Sequence, residues 1–479
     1  MLFNSIDFAV FLPIVFLLYW WVGGKSVQRR NVILLVASYV FYGWWDPRFL
    51  ALIAFSTLVD YFVGVALGNT SDEAKRKYLL WTSLAVNLGL LGYFKYSNFF
   101  LESFVDAFRF FGSDFSVSRL HIILPVGISF YTFQTLSYSI DVYKRQLEPS
   151  RDPVAFAAYV SFFPQLVAGP IERASNLLPQ FAKLRIFNYA SAVDGSKQIL
   201  WGLFKKLVIA DNCSAEVDRI FANYTGLSGL TLLIGALLFA FQIYCDFSGY
   251  SDIAIGCARQ FGFDLMKNFA FPYFSRDIAE FWRRWHISLS TWFRDYLYIP
   301  LGGSRGGTAM KVRNTFIIFI VSGFWHGANW TFVVWGALNA FYFLPLLLTG
   351  NNRQNLGTVA EGRIVPNLSE ALRVLATFLL TCIAWVFFRA KDMEHALGYL
   401  QGMFTGSYLH KASLYMVSLW WLLILFILIE WSGRTSEHAL QRIGLRWPWM
   451  LRWSFHIFVI MLIGVYMATD EAPFIYFQF

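Results

Sequence analysis

The amino-acid sequence predicts an all-α, polytopic integral membrane protein. Hydrophobic residues make up 57% of its 479 residues and charged residues only 14%, against about 25% charged in soluble domains. Apolar runs near the ~20 residues that a helix needs to cross a bilayer recur from one end of the chain to the other. Aromatic residues, 20% of the chain, cluster at the ends of these runs, as at membrane interfaces. These observations predict a single membrane domain that covers residues 1–479.

The first part of the chain contains five clear spans, and the loops between them carry the charges that orient them. The apolar runs lie near 8–22, 31–45, 49–67, 78–96 and 123–143. Basic residues fill the loops after the first, third and fifth runs: Lys25, Arg29, Arg30, Lys75, Arg76, Lys77, Lys144 and Arg145. Because basic loops stay in the cytoplasm, we expect the N-terminus outside. The first run has no basic flank before it and no cleavage site after it, so we expect a retained helix.

The rest of the chain is less regular. We expect 98–111 to be an outer interfacial helix and 154–170, which is short and broken by Pro and Gly, to be re-entrant. Segment 196–213 is expected in the interface, since Lys205 and Lys206 stand among its apolar residues. The remaining expected elements are a span at 230–256, a charged cytoplasmic stretch at 275–313, a helical pair over 314–348 broken at 325–329, and spans at 371–388, 412–431 and 451–468. About 11 crossings would place the C-terminus outside.

Charge and cysteine usage exclude several classes of function. The net charge of +9 comes from short loops beside apolar spans, where anionic membrane lipid attracts it, so no nucleic-acid partner is expected. Cys213, Cys245, Cys257 and Cys382 form no metal-binding spacing. The Gly-rich run 302–307 lacks the Lys and Ser/Thr that end a phosphate-binding loop. We therefore expect no bound metal or cofactor.

His326 is the first candidate for catalysis. It lies inside the apolar stretch 314–348, flanked by Gly323 and Gly327, and Asn329 follows three residues later. Ionisable side chains at membrane depth are costly and face a cavity or a partner. A neutral imidazole there could remove the proton of a hydroxyl or thiol nucleophile. The spacing alone is equally compatible with a histidine that packs two helices and bonds a backbone carbonyl.

His286 and nearby arginines form a second candidate group. Arg283 and Arg284 precede this histidine, and Arg294 follows it in the same aromatic stretch. Guanidinium groups suit paired hydrogen bonds to phosphate, so the stretch could bind an anionic, phosphate-bearing donor. An interfacial helix that holds lipid headgroups is the alternative.

Polar residues also close the long span 230–256. Asp246, Ser248 and Asp252 are costly at membrane depth unless they line water or bind partners. They are candidates to orient a histidine or to bind the incoming hydroxyl. Pairing of the two carboxylates with arginines of 276–294 is the favoured alternative.

Several motifs, in order along the chain, resemble the membrane-bound O-acyltransferase (MBOAT) family. They are 92–96, 124–131, 163–171, 244–252, 280–300 and 325–327. The likeness points to the bacterial branch that contains the membrane subunits for alginate O-acetylation and for teichoic-acid D-alanylation. The family's membrane-embedded catalytic histidine corresponds to His326, and its second polar position corresponds to His286.

The resemblance implies a fold and an activity. The helices would form a ring around a tunnel through the membrane, which a cytoplasmic thioester donor, expected to be acetyl-CoA, enters from one side and the acceptor from the other. In the alginate branch a separate extracytoplasmic, hydrolase-like partner completes the transfer to polysaccharide. We therefore expect a bacterial inner-membrane enzyme that O-acetylates a cell-surface polysaccharide, with His326 as base.

The C-terminal tail 473–479, Pro-Phe-Ile-Tyr-Phe-Gln-Phe, is similar to the end of a small peptide subunit of teichoic-acid D-alanylation. This resemblance suggests the hypothesis that Tyr476 carries the acyl group: His326 acts as base, the phenol attacks the thioester, and the acyl group is passed on outside. An aromatic tail anchored at the interface is the alternative.

Two other functions stay open at this point. Intramembrane Asp and His residues and broken helices also mark transport paths, so a transporter or flippase for a lipid-linked saccharide is the first alternative, although no repeat pairs the two halves of the chain. Acylation of a lipid or a protein, as in other branches of the family, is the second.

Overall fold

A computed structural model of the chain describes residues 1–110, 112, 120, 122–167, 169–409, 418–467 and 474–475. These residues form helices and their connections, without a strand. They divide into two compact units: Met1–Gly195 with Ala254–Met266, and Ser196–Ile253 with Lys267–Phe479. The all-helical fold class is as predicted, while the assignment of all residues to a single domain stays a prediction.

The first unit contains a helix in each of the five spans predicted for this part of the chain. Its helices are α1 (Ile6–Leu17), α2 (Val27–Gly43), α3 (Arg48–Asn69), α4 (Glu73–Leu91), α5 (Ser97–Phe110), α6 (Ile128–Tyr143), α7 (Pro153–Val160), α8 (Phe163–Leu166), α9 (Ala174–Phe181) and the start of α10 (Tyr189–Leu203). Leu18–Val22 and Gly92–Tyr96 extend α1 and α4 as π-helical turns. Side-chain caps begin several helices; Asp72, for example, accepts the backbone N–H of Ala74 at the start of α4.

A buried polar cluster joins α3, α4 and α6 in this unit. One carboxylate oxygen of Asp60 accepts hydrogen bonds from Ser83 at 2.5 Å and Ser139 at 3.1 Å, and the other accepts one from Asn87 at 2.9 Å. All four side chains are buried. Because polar groups at membrane depth must find partners inside the protein, this cluster fixes the facing sides of the three helices.

The second unit contains the rest of α10 and the later helices. They are α11 (Asp211–Ala222), α12 (Gly229–Gln260, whose last turns belong to the first unit), α13 (Ile278–Arg284), α14 (Ile287–Phe293), α15 (Gly307–His326), α16 (Trp330–Leu348), α17 (Leu368–Arg389), α18 (Met393–Thr405), α19 (Ser418–Gly433) and α20 (Trp449–Tyr466). Phe204–Ala210 and Arg294–Tyr298 are π-helical, and Tyr224–Gly226 and Pro272–Phe274 are short 3-10 turns.

Helices α15 and α16 form the predicted helical pair, and glycines let them approach closely. A Cβ atom at Gly323 of α15 would collide with the carbonyl oxygen of Phe332, and one at Gly336 of α16 with the carbonyl oxygen of Phe319. Small residues at a helix interface in a membrane allow this close backbone contact. The pair therefore holds the end of α15 in a fixed position.

The helices are those of a multi-pass membrane protein. Among the described residues, five are long and apolar enough to cross a bilayer, namely α3, α12, α16, α17 and α20. Shorter apolar helices cover Ile6–Val22, Pro153–Leu166 and Ser418–Gly433. The figure of about 11 crossings stays a prediction.

Candidate active site

Two buried histidines of the second unit lie side by side. His326 is the last residue of α15 and is 4% exposed, and His286 is 2% exposed. Their ring centroids are 6.3 Å apart. Trp335 of α16 and Phe388 of α17 pack edge-on against His326 at 5.3 and 5.4 Å. The two imidazoles that the sequence indicated separately are thus buried side by side, with aromatic side chains packed against His326.

The break after His326 explains its position. Gly327 lies against the ring of Phe332, leaving no room for a Cβ atom. Asn329 then caps α16: its Oδ1 accepts the N–H of Thr331 at 3.0 Å, and its Nδ2 donates to the carbonyl of Lys391 at 2.7 Å. Both polar groups of Asn329 therefore have structural partners, and its role in substrate binding stays a prediction.

His286 sits between α13 and α14 with an unusual backbone. Its φ of 43° lies in the left-handed region, which non-glycine residues rarely adopt. Phe247 packs edge-on against the ring at 4.6 Å, and the side chain of Asn268 lies 3.0 Å from Nδ1. Burial lowers the pKa of His286 to about 3, so the ring is neutral near pH 7. A neutral imidazole offers one donor and one acceptor nitrogen.

The arginines next to His286 are held by protein groups. Arg283 donates to backbone carbonyls within 352–357 at 2.7 and 2.9 Å. Arg284 donates to a carbonyl of the same segment at 2.8 Å and pairs with the carboxylate of Glu280 at 2.9 Å. Arg294 pairs with the adjacent Asp295 at 2.7 Å. These bonds tie α13 to the 352–357 segment, and a role of the three arginines in donor binding stays a prediction.

The carboxylates of α12 pair with lysines. Lys205 Nζ lies 2.5 Å from Asp252 and donates to Ser248 at 2.9 Å. Lys206 Nζ lies 2.8 Å from both Asp246 and Asp211. The expected pairing of Asp246 and Asp252 with arginines of 276–294 is therefore wrong.

The burial of these lysines also corrects the expectation for 196–213. The side chains of Lys205 and Lys206 are only 3% and 1% exposed, so they do not face lipid headgroups as an interfacial helix would require. The π-helical turn Phe204–Ala210 holds them against α12. A buried ammonium group needs an anionic partner. Asp211 is close to Lys206 in the chain, but Asp246 and Asp252 lie 40 or more residues after the lysines, beyond what a local pattern can predict.

The described part of the C-terminal tail is buried in the same unit. The backbone N–H of Ile475 donates to Asp246 at 2.7 Å. The ring of Phe474 lies 4.5 Å from that of Tyr250 and 5.8 Å from that of Phe247. Both tail residues are at most 2% exposed. Tyr476, the proposed acyl carrier, lies outside the described residues.

Sequence reasoning missed two buried polar groups of this unit, Asn268 and Glu430. Glu430 of α19 accepts hydrogen bonds from Trp201 at 2.9 Å and from Tyr244 at 2.7 Å. A single acid inside an apolar span is a signal that could have found Glu430, whereas Asn268 stands in no recognisable pattern. Across the described ranges, no group of three or more His, Cys, Asp or Glu side chains could hold a metal ion.

The helical membrane fold agrees with the comparison to known proteins. The model of the membrane-bound O-acyltransferase family matches residues 145–388, which include His286, His326 and the acidic residues of α12. The chain belongs to this family and is a membrane-bound acyltransferase.

Individual relatives extend the match over most of the chain. A Pseudomonas aeruginosa protein named "Probable alginate O-acetylase AlgI" is 40% identical over 90% of this chain and 81% of its own length. The peptidoglycan O-acetyltransferase of Helicobacter pylori is 34% identical over 100% of this chain and 98% of its own length. The teichoic acid D-alanyltransferase of Streptococcus thermophilus is 26% identical over 55% of this chain and 68% of its own length.

Proposed function

We propose that this acyltransferase moves an acetyl group from acetyl-CoA on the cytoplasmic side to a cell-surface polysaccharide, with His326 as the catalytic base. The observation that carries the proposal is the position of His326, buried at the end of α15 with a second imidazole 6.3 Å away. Relatives named for alginate and peptidoglycan acetylation support the acetyl group and the glycan.

The proposed chemistry uses a neutral imidazole in a water-poor site. His326 takes the proton of the attacking hydroxyl as its oxygen bonds to the carbonyl carbon of the thioester. The carbon–sulfur bond breaks, and the proton passes from the imidazole to the sulfur of CoA. A positioned general base contributes about 100-fold to 10,000-fold to such a step. The low-polarity surroundings of Trp335 and Phe388 favour the neutral, proton-accepting form.

Variants of His326 test this assignment. In proteoliposomes supplied with radiolabelled acetyl-CoA, His326→Ala should reduce acetyl transfer at least about 100-fold. His456→Ala is the matched control, because in the described part of the chain the His456 ring is hydrogen-bonded to the carbonyl of Arg452 within its own helix, α20. Transfer by a folded His326→Ala protein at the wild-type rate would remove His326 from the mechanism. In cells, loss of polymer export rather than of its acetylation would favour a transporter instead.

We further propose that Tyr476 is an intermediate acyl carrier. Its phenol oxygen would attack the thioester, the proton would leave through His326 to the sulfur of CoA, and the acetyl ester would then pass to the next acceptor. The support is the aromatic sequence of the tail and the burial of its residues Phe474 and Ile475 against α12.

Mass analysis tests the carrier. After incubation with acetyl-CoA, the C-terminal peptide should carry an acetyl adduct, and Tyr476→Phe should lose both the adduct and the transfer. Tyr466→Phe, at the end of α20, is the control. An unmodified peptide during continued transfer would refute the role of Tyr476.

The setting proposed for this reaction is the bacterial cytoplasmic membrane. Basic loops after alternate spans support an N-terminus outside, and delivery of the acetyl group from Tyr476 requires the C-terminus outside as well. An extracytoplasmic, hydrolase-like partner would then transfer the acetyl group to polysaccharide. Cysteine labelling of the two termini in intact cells tests this orientation, and a cytoplasmic C-terminus would exclude delivery from Tyr476.

A further inference from the structure

Asn268 is held next to His286 by hydrogen bonds of both its side chain and its backbone. Its Oδ1 accepts a hydrogen bond from Ser288 at 2.9 Å, and its Nδ2 donates to Ser251 of α12 at 3.0 Å. Its backbone carbonyl accepts the N–H of Ile287 at 2.9 Å. Asn268 is fully buried, and Ser251 and Ser288 are at most 2% exposed. In this arrangement Oδ1 of the amide is turned toward His286 and Nδ2 toward Ser251.

This orientation decides which nitrogen of His286 carries the proton. Oδ1 of Asn268 lies 3.0 Å from Nδ1 of His286, and an amide oxygen can only accept a hydrogen bond. Nδ1 of His286 must therefore donate. A neutral imidazole carries a single N–H, so its lone pair lies on Nε2. Nε2 makes no hydrogen bond within the described part of the chain.

We propose that Asn268 is a positioning residue for acyl transfer: it holds His286 as the Nδ1–H tautomer, so that Nε2 is the ring nitrogen that accepts a hydrogen bond from the reacting groups. The tautomer follows from the contacts of Asn268, and the catalytic consequence rests on the proposed function. Hydrogen bonds from a neighbour that fix the tautomer and direction of a histidine are worth about 10-fold to 100-fold where they have been removed.

The hydrogen bond to Asn268 is the polar contact that orients the His286 ring, and aromatic side chains pack around it. The ring packs edge-on against Phe247 at 4.6 Å and lies 6.4 Å from the ring of Phe269. Aromatic rings restrict where the imidazole lies, but they do not distinguish Nδ1 from Nε2. A variant of Asn268 without the acceptor oxygen should therefore allow both tautomers of His286, while the aromatic rings keep the imidazole in its position.

Nitrogen NMR of ¹⁵N-histidine-labelled protein in nanodiscs tests the tautomer without any measurement of activity. The signals that disappear in His286→Gln identify this residue. In the wild type they should show a proton on Nδ1; in Asn268→Leu, which keeps the volume but not the acceptor, they should show a mixture of tautomers. Asn268→Asp, which keeps an acceptor oxygen, should preserve the Nδ1–H form. A wild-type proton on Nε2 would overturn the proposal, since it would mean that the Asn268 amide is turned the other way.

Kinetics test the catalytic consequence. Asn268→Leu should lower kcat about 10-fold to 100-fold with an unchanged KM for acetyl-CoA, and Asn268→Asp should recover most of kcat. Asn339→Leu is the matched control, because Asn339 is also buried and, among the residues that the structure describes, its side chain donates to the carbonyl of Trp335 in its own helix. A wild-type kcat in Asn268→Leu would overturn the positioning role. Loss of activity in Asn339→Leu to the same extent would do so too, since it would show general damage.

Failure of the proposed function gives a different result. If the wild type transfers no acetyl group from acetyl-CoA, the proposed donor is wrong, yet the NMR signals still confirm or refute the tautomer set by Asn268.

Discussion

Lys206 joins two carboxylates inside the second unit, and its replacement is a direct test of what holds this unit together. Its ammonium group lies 2.8 Å from both Asp246 and Asp211 and is 1% exposed. Lys206→Met keeps most of the length of the side chain and removes the charge. The two carboxylates would then face each other in a buried site with their shared cation gone.

The loss of stability expected for Lys206→Met depends more on the burial of its ion pairs than on their distances. At 2.8 Å and an effective dielectric constant near 20, each contact has a Coulomb energy of about 6 kcal/mol, but desolvation of the ammonium group offsets much of this sum. Removing one partner of a buried pair costs about 3–5 kcal/mol. Arg389 and Asp218 are closer, at 2.6 Å, but Asp218 is 59% exposed, and such pairs contribute at most about 1 kcal/mol.

Thermal unfolding in nanodiscs measures this difference. At about 2 °C per kcal/mol for a large unit, Lys206→Met should lower the unfolding midpoint by about 6–10 °C, and Arg389→Met by about 2 °C or less. Lys206→Met combined with Asp211→Asn should recover part of the loss, because one uncompensated charge is removed. If the two single variants unfold at the same midpoint, burial does not strengthen the Lys206 pairs and the reasoning is refuted.

Three further predictions concern packing and pH. Asp60→Ala should lower the free energy of unfolding by about 3 kcal/mol, since three buried donors lose their acceptor at about 1 kcal/mol or more each. Denaturant titration measures this loss, and the exposed cap variant Asp72→Ala, expected to cost about 1 kcal/mol, is the control. Equal losses of stability in the two variants would contradict the prediction. Gly336→Val should destabilise the protein by about 1–3 kcal/mol through overpacking of α15 against α16, whereas Gly464→Ala, which has open space around it, should be neutral in the same titration. The pKa of His286, lowered by burial to about 3, implies that only the unfolded chain takes up a proton as the pH falls below the usual value of about 6.5. Stability should therefore decline as the pH falls from about 6.5 to about 3, and less so in His286→Gln. Parallel pH profiles of the unfolding midpoint for the two proteins would contradict this assignment.

The helical hairpin around His326 could be predicted because its signals are local. An apolar stretch long enough for two helices, interrupted by Gly327 and Asn329, specifies a break at one place. The observed helices end at His326 and begin again at Trp330. Asn329 caps the second helix. A residue that the sequence indicated as a candidate for substrate binding therefore has a structural role in the fold.

The partners of the buried carboxylates could not be predicted in the same way. The sequence places Asp246 and Asp252 between two lysines and a group of arginines, and charge alone does not choose between them. Tertiary contacts decide: Arg283 is held by backbone carbonyls of 352–357, while Lys205 and Lys206 lie against α12. The charge pattern of a sequence does not show which arginines bind backbone carbonyls. The prediction therefore paired the two carboxylates with arginines and not with the lysines.

Two adjacent residues of α12, Asp246 and Phe247, connect the C-terminal tail to His286. A change in activity of an Asp246 variant therefore does not by itself show that Asp246 takes part in catalysis. Asp246 binds the backbone of Ile475, and Phe247 contacts both Phe474 and His286, with ring centroids 5.8 and 4.6 Å apart. Because the protein interior is closely packed, a displaced tail changes the surface against which Phe247, and through it the imidazole, rests. A loss of activity after a change at Asp246 is thus expected from packing alone. Direct participation of Asp246 in catalysis would require a loss of activity while the unfolding midpoint and the tautomer of His286 stay unchanged.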